Sequence, residues 1–204
     1  MEAPKISSTV LETHYGTFDF YCFTWGPHEE DNVLAQVKRP FEARPLVRIQ
    51  SACYTAEIFR SLDCDCHEQL ETSLRLISST GGIFIYMLAD GRGAGLQVKV
   101  RGLELGRTQG LDTADAYAAL GVPPDPREYD RAAYVLRHFR IDDLRLLTNN
   151  PRKLEGLQKL GLRVTRESLE IPATDFSRPY LQTKKTKMGH LLNAVEQPLA
   201  EKGN

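Results

Sequence analysis

Three of the four cysteines in this 204-residue chain lie within fourteen residues, at Cys53, Cys64 and Cys66. This cluster constrains the fold, because side chains that share a metal ion must converge on one point. Three thiolates fill three corners of a tetrahedral Zn²⁺ and leave the fourth to water, which is the arrangement of a catalytic zinc site. The spacing therefore predicts a zinc centre with an open position at these three cysteines.

Two other interpretations of the cysteines remain open on spacing alone. Cys64 and Cys66 are also compatible with thiols packed in a core, since buried free cysteine is common as a small apolar residue. The second alternative is a closed structural site that the neighbouring imidazole of His67 completes. Cys22 lies in a separate apolar and aromatic run, where we expect it to belong to the core.

The composition is that of an ordinary globular chain. Hydrophobic residues make up 41% of it and charged residues 26%, which argues against wholesale disorder and against a small fold held by disulfides. No apolar run reaches the length of a membrane span, and the N-terminus shows no basic leader with an apolar stretch after it. We therefore expect a cytoplasmic protein with no membrane partner, in which clustered cysteines bind metal rather than form disulfides.

The charge balance argues against nucleic acid as a partner. The formal net charge is −1, so the protein as a whole offers no general attraction to a polyanion. The short basic cluster at 184–187 is interpreted as a solvated helix face.

The order of predicted elements indicates an α/β fold with helices covering a mixed sheet. Alternating or continuous apolar runs predict strands at 16–25, 32–37, 47–49, 82–88 and 142–147. Helical spacing of apolar residues predicts helices at 55–62, with Thr55 as the N-cap, and at 68–77, 96–105, 113–120, 127–139, 152–160 and 187–195. Prolines predict a rigid bend at 123–126, and residues 196–204 are predicted to be a frayed tail.

A glycine-rich turn, Asp-Gly-Arg-Gly-Ala-Gly at 90–95, follows the predicted strand at 82–88. Glycines let backbone N–H groups approach an anion closely, and the helix that follows would point its positive end at the same place. The turn matches neither the P-loop nor the dinucleotide-binding pattern, and a plain tight turn explains its glycines equally well.

Four motifs occur in one order along the chain. After the cysteines come the glycine-rich turn, then Leu-Leu-Thr-Asn-Asn-Pro-Arg-Lys at 146–153, then Thr-Lys-Lys-Thr-Lys-Met-Gly-His-Leu-Leu at 183–192. Together they closely resemble GTP cyclohydrolase II over about residues 9–192. The resemblance implies a single GTP cyclohydrolase II-like domain over 1–204 with a three-layer α/β architecture, and a homodimer.

The resemblance also implies a reaction. In that family three cysteines hold Zn²⁺, a zinc-activated water attacks C8 of guanine in GTP, two hydrolytic steps open the imidazole ring and expel formate, and pyrophosphate is released. Position by position, Cys53, Cys64 and Cys66 match the zinc ligands. Asp125 matches the proton acceptor, and Arg127 matches the nucleophile toward the α-phosphate.

Further positions match nucleotide contacts of the family. Cationic side chains among them would offset the triphosphate charge, which Mg²⁺ commonly bridges. Without the resemblance, Asp125 would be interpreted as a turn former, and Arg127 and Lys153 as ordinary helix charges. The implied nucleotide-binding residues are Arg48, Ser51, Gln69, Asp90, Gly91, Arg92, Thr113, Thr148 and Lys153.

Several positions depart from the family pattern. Gln-Ser-Ala-Cys at 50–53 replaces His-Ser-Glu-Cys, and Tyr-Thr-Ala-Glu at 54–57 replaces Leu-Thr-Gly-Asp. Asp-Cys-Asp-Cys-His at 63–67 replaces Arg-Cys-Asp-Cys-Gly. The Lys-Ile-Arg-Ala-Tyr run becomes Lys-Val-Arg-Gly-Leu, so that Leu103 stands at the substrate-site tyrosine. A phenol can donate or relay a proton, and leucine cannot.

These departures predict a divergent paralogue that opens the imidazole ring with zinc, releases pyrophosphate and stops at the formylamino-pyrimidine ribosyl monophosphate. The first rival hypothesis is a complete GTP cyclohydrolase II of riboflavin synthesis, with another group or a water in the role of the tyrosine. The second is an inactive nucleotide-binding regulator that keeps zinc as a structural element.

Overall fold

The computed structural model describes residues 2–123 and 127–193. Within these residues, seven strands form one mixed sheet. The strands are β1 (Lys5–Thr13), β2 (Gly16–Thr24), β3 (Asn32–Lys38), β4 (Leu46–Ser51), β5 (Gly82–Met87), β6 (Asp143–Leu147) and β7 (Arg163–Glu167).

The α-helices of the same residues are α1 (Tyr54–Glu57), α2 (Cys66–Thr80), α3 (Leu96–Gln109), α4 (Thr113–Ala119), α5 (Asp130–His138), α6 (Pro151–Lys159) and α7 (Arg178–Met188). Local side chains begin two of them. The Asp112 carboxylate accepts hydrogen bonds from the N–H groups of Ala114 and Asp115 at the start of α4, and Asn150 accepts one from Arg152 at the start of α6. None of the helices in the described residues is both long and apolar enough to cross a membrane.

The strand order places three loops at one edge of the sheet. The order is β1-β2-β3-β5-β4-β6-β7, antiparallel from β1 to β5 and parallel from β5 through β4 and β6 to β7. The carboxyl ends of parallel strands lie at the same edge, and the crevice outside them is where α/β sheets bind ligands. The segments that follow β4, β5 and β6 therefore meet there.

Alternate residues of the sheet face two hydrophobic cores. On β5, Ile83 and Ile85 belong to one core, together with Leu136 of α5. The intervening Phe84 belongs to the other core, together with Leu74 of α2. This is the period of two expected for a strand buried on both faces. Helices cover both faces, and the predicted α/β fold with a mixed sheet covered by helices is confirmed.

Two strands, β1 and β7, were not predicted from the sequence. Nearly every residue of β1 is exposed, so the strand shows no alternation of buried and exposed positions. It is ordered by backbone pairing with β2 over a register that runs from Lys5 opposite Thr24 to Thr13 opposite Gly16. β7, with the sequence Arg-Val-Thr-Arg-Glu, has a single apolar residue.

The predicted helix boundaries were wrong at three places. The last described helix, α7, spans 178–188 instead of 187–195 and ends at Gly189, whose φ of 67° is left-handed. α5 begins at Asp130 and not at Arg127. α1 ends at Glu57, and no side chain caps it, so Thr55 is not its N-cap. Residues 124–126 and 194–204 lie outside the described part of the chain, and with them most of the predicted bend and the predicted tail.

Candidate active site and metal centre

A cleft lies at the carboxyl edge of the parallel strands. It comprises about 1030 Å³ of space that opens to solvent. Its walls come from the segments after β4, β5 and β6 and from helices α3, α4 and α7. All fourteen described residues of the predicted site line it: Arg48, Ser51, Cys53, Cys64, Cys66, Gln69, Asp90, Gly91, Arg92, Leu103, Thr113, Arg127, Thr148 and Lys153. The remaining predicted residue, Asp125, lies outside the described residues.

The three clustered cysteines converge at one wall of this cleft. Their Sγ atoms all lie within 4.8 Å of one another, and those of Cys53 and Cys64 are 3.8 Å apart. Tetrahedral zinc with Zn–S bonds of about 2.3 Å requires sulfurs about 3.8 Å apart, which matches the Cys53–Cys64 distance, so the donor set suits zinc. Cys53 immediately precedes α1 and Cys66 is the first residue of α2, so the helix starts position two of the three sulfurs.

His67 does not join this cluster. Its ring nitrogens contact the guanidinium of Arg60 near the surface. Among the described residues, the group close enough to share a metal consists of the three cysteines alone. The alternative of a closed site completed by His67 is therefore wrong for this arrangement, and all three cysteines line the cleft.

Cys22 lies apart from the cluster and is not a core residue, contrary to the prediction. It is half-buried on β2, with its sulfur 3.6 Å from Thr24 Oγ1 and 3.8 Å from Asn32 Oδ1. Both neighbouring side chains, the Thr24 hydroxyl and the Asn32 amide, are polar, which explains why Cys22 is only half-buried.

The electrostatics of the cluster favour a thiolate at Cys53. Hydrogen bonds from the thiols of Cys64 and Cys66 hold the pKa of Cys53 far below its usual range, and the Lys99 ammonium lowers it further. The same sharing of a proton raises the pKa of Cys64 and of Cys66. The thiolate is the form of cysteine that binds metal, so Cys53 is already in the protonation state that a metal requires.

Asp90, in the glycine-rich turn after β5, connects this turn to the cysteine cluster. This buried carboxylate accepts hydrogen bonds from the N–H of Tyr54 at 2.8 Å and from the N–H of Gly91 at 2.5 Å. The Lys99 Nζ lies 3.1 Å from Asp90 Oδ1 and 3.0 Å from Cys53 Sγ. Sequence reasoning assigned Asp90 to the nucleotide and did not single out Lys99.

A buried polar network crosses the floor of the cleft. Arg48 donates to Gln69 Oε1 at 2.6 Å and to the carbonyl of Leu147 at 2.9 Å. Gln69 Nε2 donates to Asp65 Oδ2 at 2.6 Å, and Lys184 Nζ donates to Asp65 Oδ1 at 2.9 Å. The network joins β4, α2 and α7 around the segment that carries Cys64 and Cys66.

Lys184 corrects the interpretation of the basic cluster at 184–187. Its ammonium is buried against Asp65 and lies 4.3 Å from the centroid of the Tyr180 ring, so this lysine is not solvated. Lys187, in contrast, is exposed and pairs with Asp112 and Asp115. The two lysines are three residues apart on one helix, yet only the first is buried, against the carboxylate of Asp65 that precedes α2.

Four cations also line the cleft. Arg92, Arg127, Lys153 and Lys184 all line it together with His190. Burial lowers the pKa of His190 to about 3, and these four positive charges add to the effect. A site with this charge attracts anions and is suited to a polyphosphate.

Several lining residues were missed by sequence reasoning. They are Lys99, Tyr117, Asn149, Asn150, Tyr180, Lys184, Met188 and His190. Asn149, Asn150, Lys184, Met188 and His190 fall within the motifs that carried the resemblance, which was the available signal. Tyr117 and Tyr180 had none, because an aromatic residue in a helix usually belongs to the core.

A model of the family described as GTP cyclohydrolase II matches residues 4–168. The chain belongs to the GTP cyclohydrolase II family. It is 43% identical over 183 residues to the riboflavin biosynthesis protein RibBA of Staphylococcus epidermidis and 42% identical over 183 residues to RibBA of Staphylococcus aureus. Each match covers 89% of this chain and 46% of the relative, so the chain spans less than half the length of these curated relatives.

Among solved structures, the chain is similar to RibBX of A. baumannii, a two-domain 3,4-dihydroxy-2-butanone 4-phosphate synthase, with a TM-score of 0.45 and 18% identity. That match covers 82% of this chain and 41% of RibBX. The likeness is too weak to bear on function.

Three departures from the family motifs that line the cleft are Leu103, Ala52 and Gln50. Leu103 is on α3, one helical turn after Lys99, and its side chain is 41% exposed. Ala52, where the family motif has glutamate, is buried beside Cys53. Gln50, where the motif has histidine, is also buried and donates to Glu57 Oε1 at 2.9 Å. Near the cysteines the chain therefore lacks an acid and an imidazole that the family motif supplies.

Proposed function

We propose that this protein hydrolyses the imidazole ring of the guanine in GTP, with zinc as cofactor, and releases pyrophosphate. The observation that carries the proposal is the convergence, in one cleft, of a three-cysteine cluster that His67 does not complete and of several cationic side chains. When bound, zinc supplies a Lewis acid that activates a water for attack on C8. Membership of the GTP cyclohydrolase II family supports the substrate.

The phosphates lie beside these cations in this proposal. Arg92 and Lys153 would offset their charge, and Mg²⁺, where bound, would neutralise part of what remains. Arg127 lies beside the end of β4, with Nη1 3.5 Å from Ser51 Oγ. A guanidinium nitrogen of Arg127 attacks the α-phosphorus, the bond to the leaving pyrophosphate breaks, and Asp125 takes the guanidinium proton. A water then cleaves the P–N bond, which frees the monophosphate and restores Arg127.

The guanine lies between the phosphates and the cysteines. Ser51, Gln69, Thr113 and Thr148 offer hydroxyl and amide groups to its edge and to the ribose. The buried Arg48 fixes the amide of Gln69, because Gln69 accepts from Arg48 while donating to Asp65. Such fixed polar groups discriminate between purines by leaving the wrong base unpaired.

The reaction stops after ring opening in this proposal. Expelling formate requires that the leaving nitrogen be protonated, and the loss of general acid–base assistance costs on the order of 10²–10⁴ in rate. Leu103 removes the family's phenol from the wall of the cleft. The product is then a formylamino-pyrimidine ribosyl monophosphate, formed with pyrophosphate but without formate.

A second candidate is the complete reaction, which yields the diaminopyrimidine and formate for riboflavin synthesis. Two other phenols favour it, since Tyr117 and Tyr180 also line the cleft. Tyr180 packs against the cluster formed by Cys53, Ala56 and Cys64. A phenol there takes the place of the one that is missing at Leu103.

The decisive experiment is incubation of zinc-loaded protein with GTP and Mg²⁺, followed by mass spectrometry of the product and assays of pyrophosphate and formate. We expect one pyrophosphate per GTP, retention of the formyl group, and no turnover by Cys64→Ser. One formate per GTP would establish the complete reaction. Binding of GTP with no pyrophosphate and no ring opening would establish an inactive regulator.

The same proposal extends to the cellular location and the oligomeric state of the protein. The relatives are named as riboflavin biosynthesis proteins, which supports a cytoplasmic enzyme of small-molecule synthesis. We propose a homodimer, as family membership suggests, which light scattering in solution tests directly.

A further inference from the structure

We propose that Lys99 is a positioning residue for the metal centre, and that Asp90 holds it in place so that its ammonium donates a hydrogen bond to the Cys53 sulfur. The inference rests on the zinc site of the proposed function. It assigns to Lys99 a role that concerns the metal rather than the nucleotide, and it gives Asp90 a structural reason for its burial.

The geometry allows this role in detail. Lys99 Nζ is 3.0 Å from Cys53 Sγ and 3.1 Å from Asp90 Oδ1, so one ammonium bridges the thiolate and the carboxylate. The side chain of Lys99 is only 14% exposed, and that of Asp90 is 3% exposed. A side chain confined in this way cannot swing to solvent, and its charge stays beside the sulfur.

The charge of Asp90 does not cancel the effect of Lys99 on the thiolate. Asp90 also accepts hydrogen bonds from two backbone N–H groups, those of Tyr54 and Gly91. These two N–H groups stabilise much of the negative charge of Asp90. The Lys99 ammonium donates its own hydrogen bond to the Cys53 sulfur. Three thiolates around Zn²⁺ leave a net charge of about −1, and an adjacent ammonium offsets it in a poorly solvated place.

The arrangement is built into the fold. Lys99 is in the first turn of α3, and Asp90 is at the end of the loop that follows β5. The N–H of Lys99 donates a hydrogen bond of 3.2 Å to the carbonyl of Gly95, which sets the start of the helix. Gly91 has a φ of 59° and lies beneath the lysine, where an added Cβ would come within 3.4 Å of Lys99 Cβ. The glycine-rich turn therefore passes directly against the lysine stem and carries Asp90 to the ammonium.

The test is the zinc dissociation constant, measured by competition with a chromophoric chelator, for Lys99→Gln and Lys99→Arg. Loss of a group that hydrogen-bonds a metal ligand typically costs about 10–100-fold in metal affinity, which we expect for Lys99→Gln. Lys99→Arg keeps a charged N–H donor and should recover most of that loss. The matched control is Lys187→Gln, which removes a lysine paired with Asp112 and Asp115 but distant from sulfur and should leave the constant unchanged.

A spectroscopic readout separates a role at the sulfur from a general loss of stability. In the Co²⁺-substituted protein, removing a hydrogen bond to the thiolate should shift the sulfur-to-cobalt charge-transfer band in Lys99→Gln, whereas Lys187→Gln should retain the parent spectrum. Affinity within twofold of the parent together with an unshifted band would overturn the inference. If Lys99→Gln does not fold, Asp90→Asn replaces it, and an unchanged zinc affinity and spectrum in that variant overturn the inference equally.

Failure of the proposed function gives a different result. If the unmutated protein binds no zinc, the proposed metal centre itself is wrong. If it binds one zinc per chain and Lys99→Gln binds zinc equally well, only the role of Lys99 is wrong.

Discussion

Lys184 Nζ lies 2.9 Å from Asp65 Oδ1, and this buried ion pair joins helix α7 to the residue between two of the three clustered cysteines. Burial by itself would raise the pKa of Asp65, but Lys184 and Gln69 together hold it below the usual range. The carboxylate therefore stays charged, and α7 is fixed over the cleft. The residues beyond the family match, which ends at 168, thus contribute directly to the walls of the site.

We expect Lys184→Met to destabilise the protein strongly. Removing one partner of a buried ion pair leaves an uncompensated charge and costs about 3–5 kcal/mol of unfolding free energy. The same change at the exposed Lys187 should cost far less, because an exposed ion pair contributes little to stability. Urea denaturation of both variants measures the difference, and equal losses for the two lysines would contradict the structural role of the pair.

Zinc content should depend on the cluster and not on Cys22. Cys64→Ser removes one of three ligands, so we expect less than one zinc per chain after dialysis against a weak chelator. Cys22→Ser is the matched control, since its sulfur contacts Thr24 and Asn32 on a different strand pair. Atomic absorption measures the metal. Full zinc in Cys64→Ser, or zinc loss in Cys22→Ser, would show that the assignment of ligands is wrong.

Arg127→Ala should abolish pyrophosphate release, because the proposed nucleophile is missing. Ring opening at the cysteine cluster is a separate step and should persist in part. Arg131→Ala is a suitable control, since Arg131 pairs with Asp31 outside the cleft. Pyrophosphate formation at the parent rate in Arg127→Ala would remove this residue from the mechanism.

Two substitutions should move formate release in opposite directions. Leu103→Tyr returns a phenol to the cleft and should increase formate release if the parent protein retains the formyl group. If the parent releases formate, Tyr180→Phe should reduce it by about 10²-fold or more, as expected for loss of a general acid. Formate is measured by a coupled dehydrogenase assay. A parent that releases formate and is unaffected by Tyr180→Phe would exclude Tyr180 as the proton donor.

His190 should make the protein sensitive to acid. Its pKa is lowered to about 3 in the folded state, whereas an unfolded histidine titrates near 6.5. The unfolded chain therefore binds a proton that the folded chain excludes, and stability falls as pH drops from about 6.5 toward 3, by at most about 1.4 kcal/mol per pH unit for one proton.

His190→Gln should therefore flatten the dependence of unfolding free energy on pH between about 6.5 and 5. The control is His14→Gln, which changes an exposed histidine. Urea denaturation at several pH values gives the slopes. An unchanged slope in His190→Gln would mean that His190 is protonated in the folded protein.

Much of the sheet and of the site was predictable from neighbouring residues. The run at 82–88 predicted β5 because both of its faces are buried, and the spacing of Cys53, Cys64 and Cys66 predicted their convergence, which the sulfur positions bear out. The motifs of the family placed fourteen described residues in one cleft. In contrast, β1 escaped prediction because it is ordered by pairing with β2 and buries neither face.

The contacts that shape the site join residues far apart in the chain. Lys99 and Cys53 are 46 residues apart, and Lys184 and Asp65 are 119 apart. The local pattern of 184–187 resembles any solvated basic helix face, and nothing within it distinguishes Lys184 from Lys187. Cysteine spacing and strand alternation can be recognised from residues close together in the sequence, because local backbone geometry sets the direction of their side chains. Which lysine is buried against a carboxylate depends on how α3 and α7 pack against α4 and against the segments that carry the cysteines, and that packing depends on the whole fold.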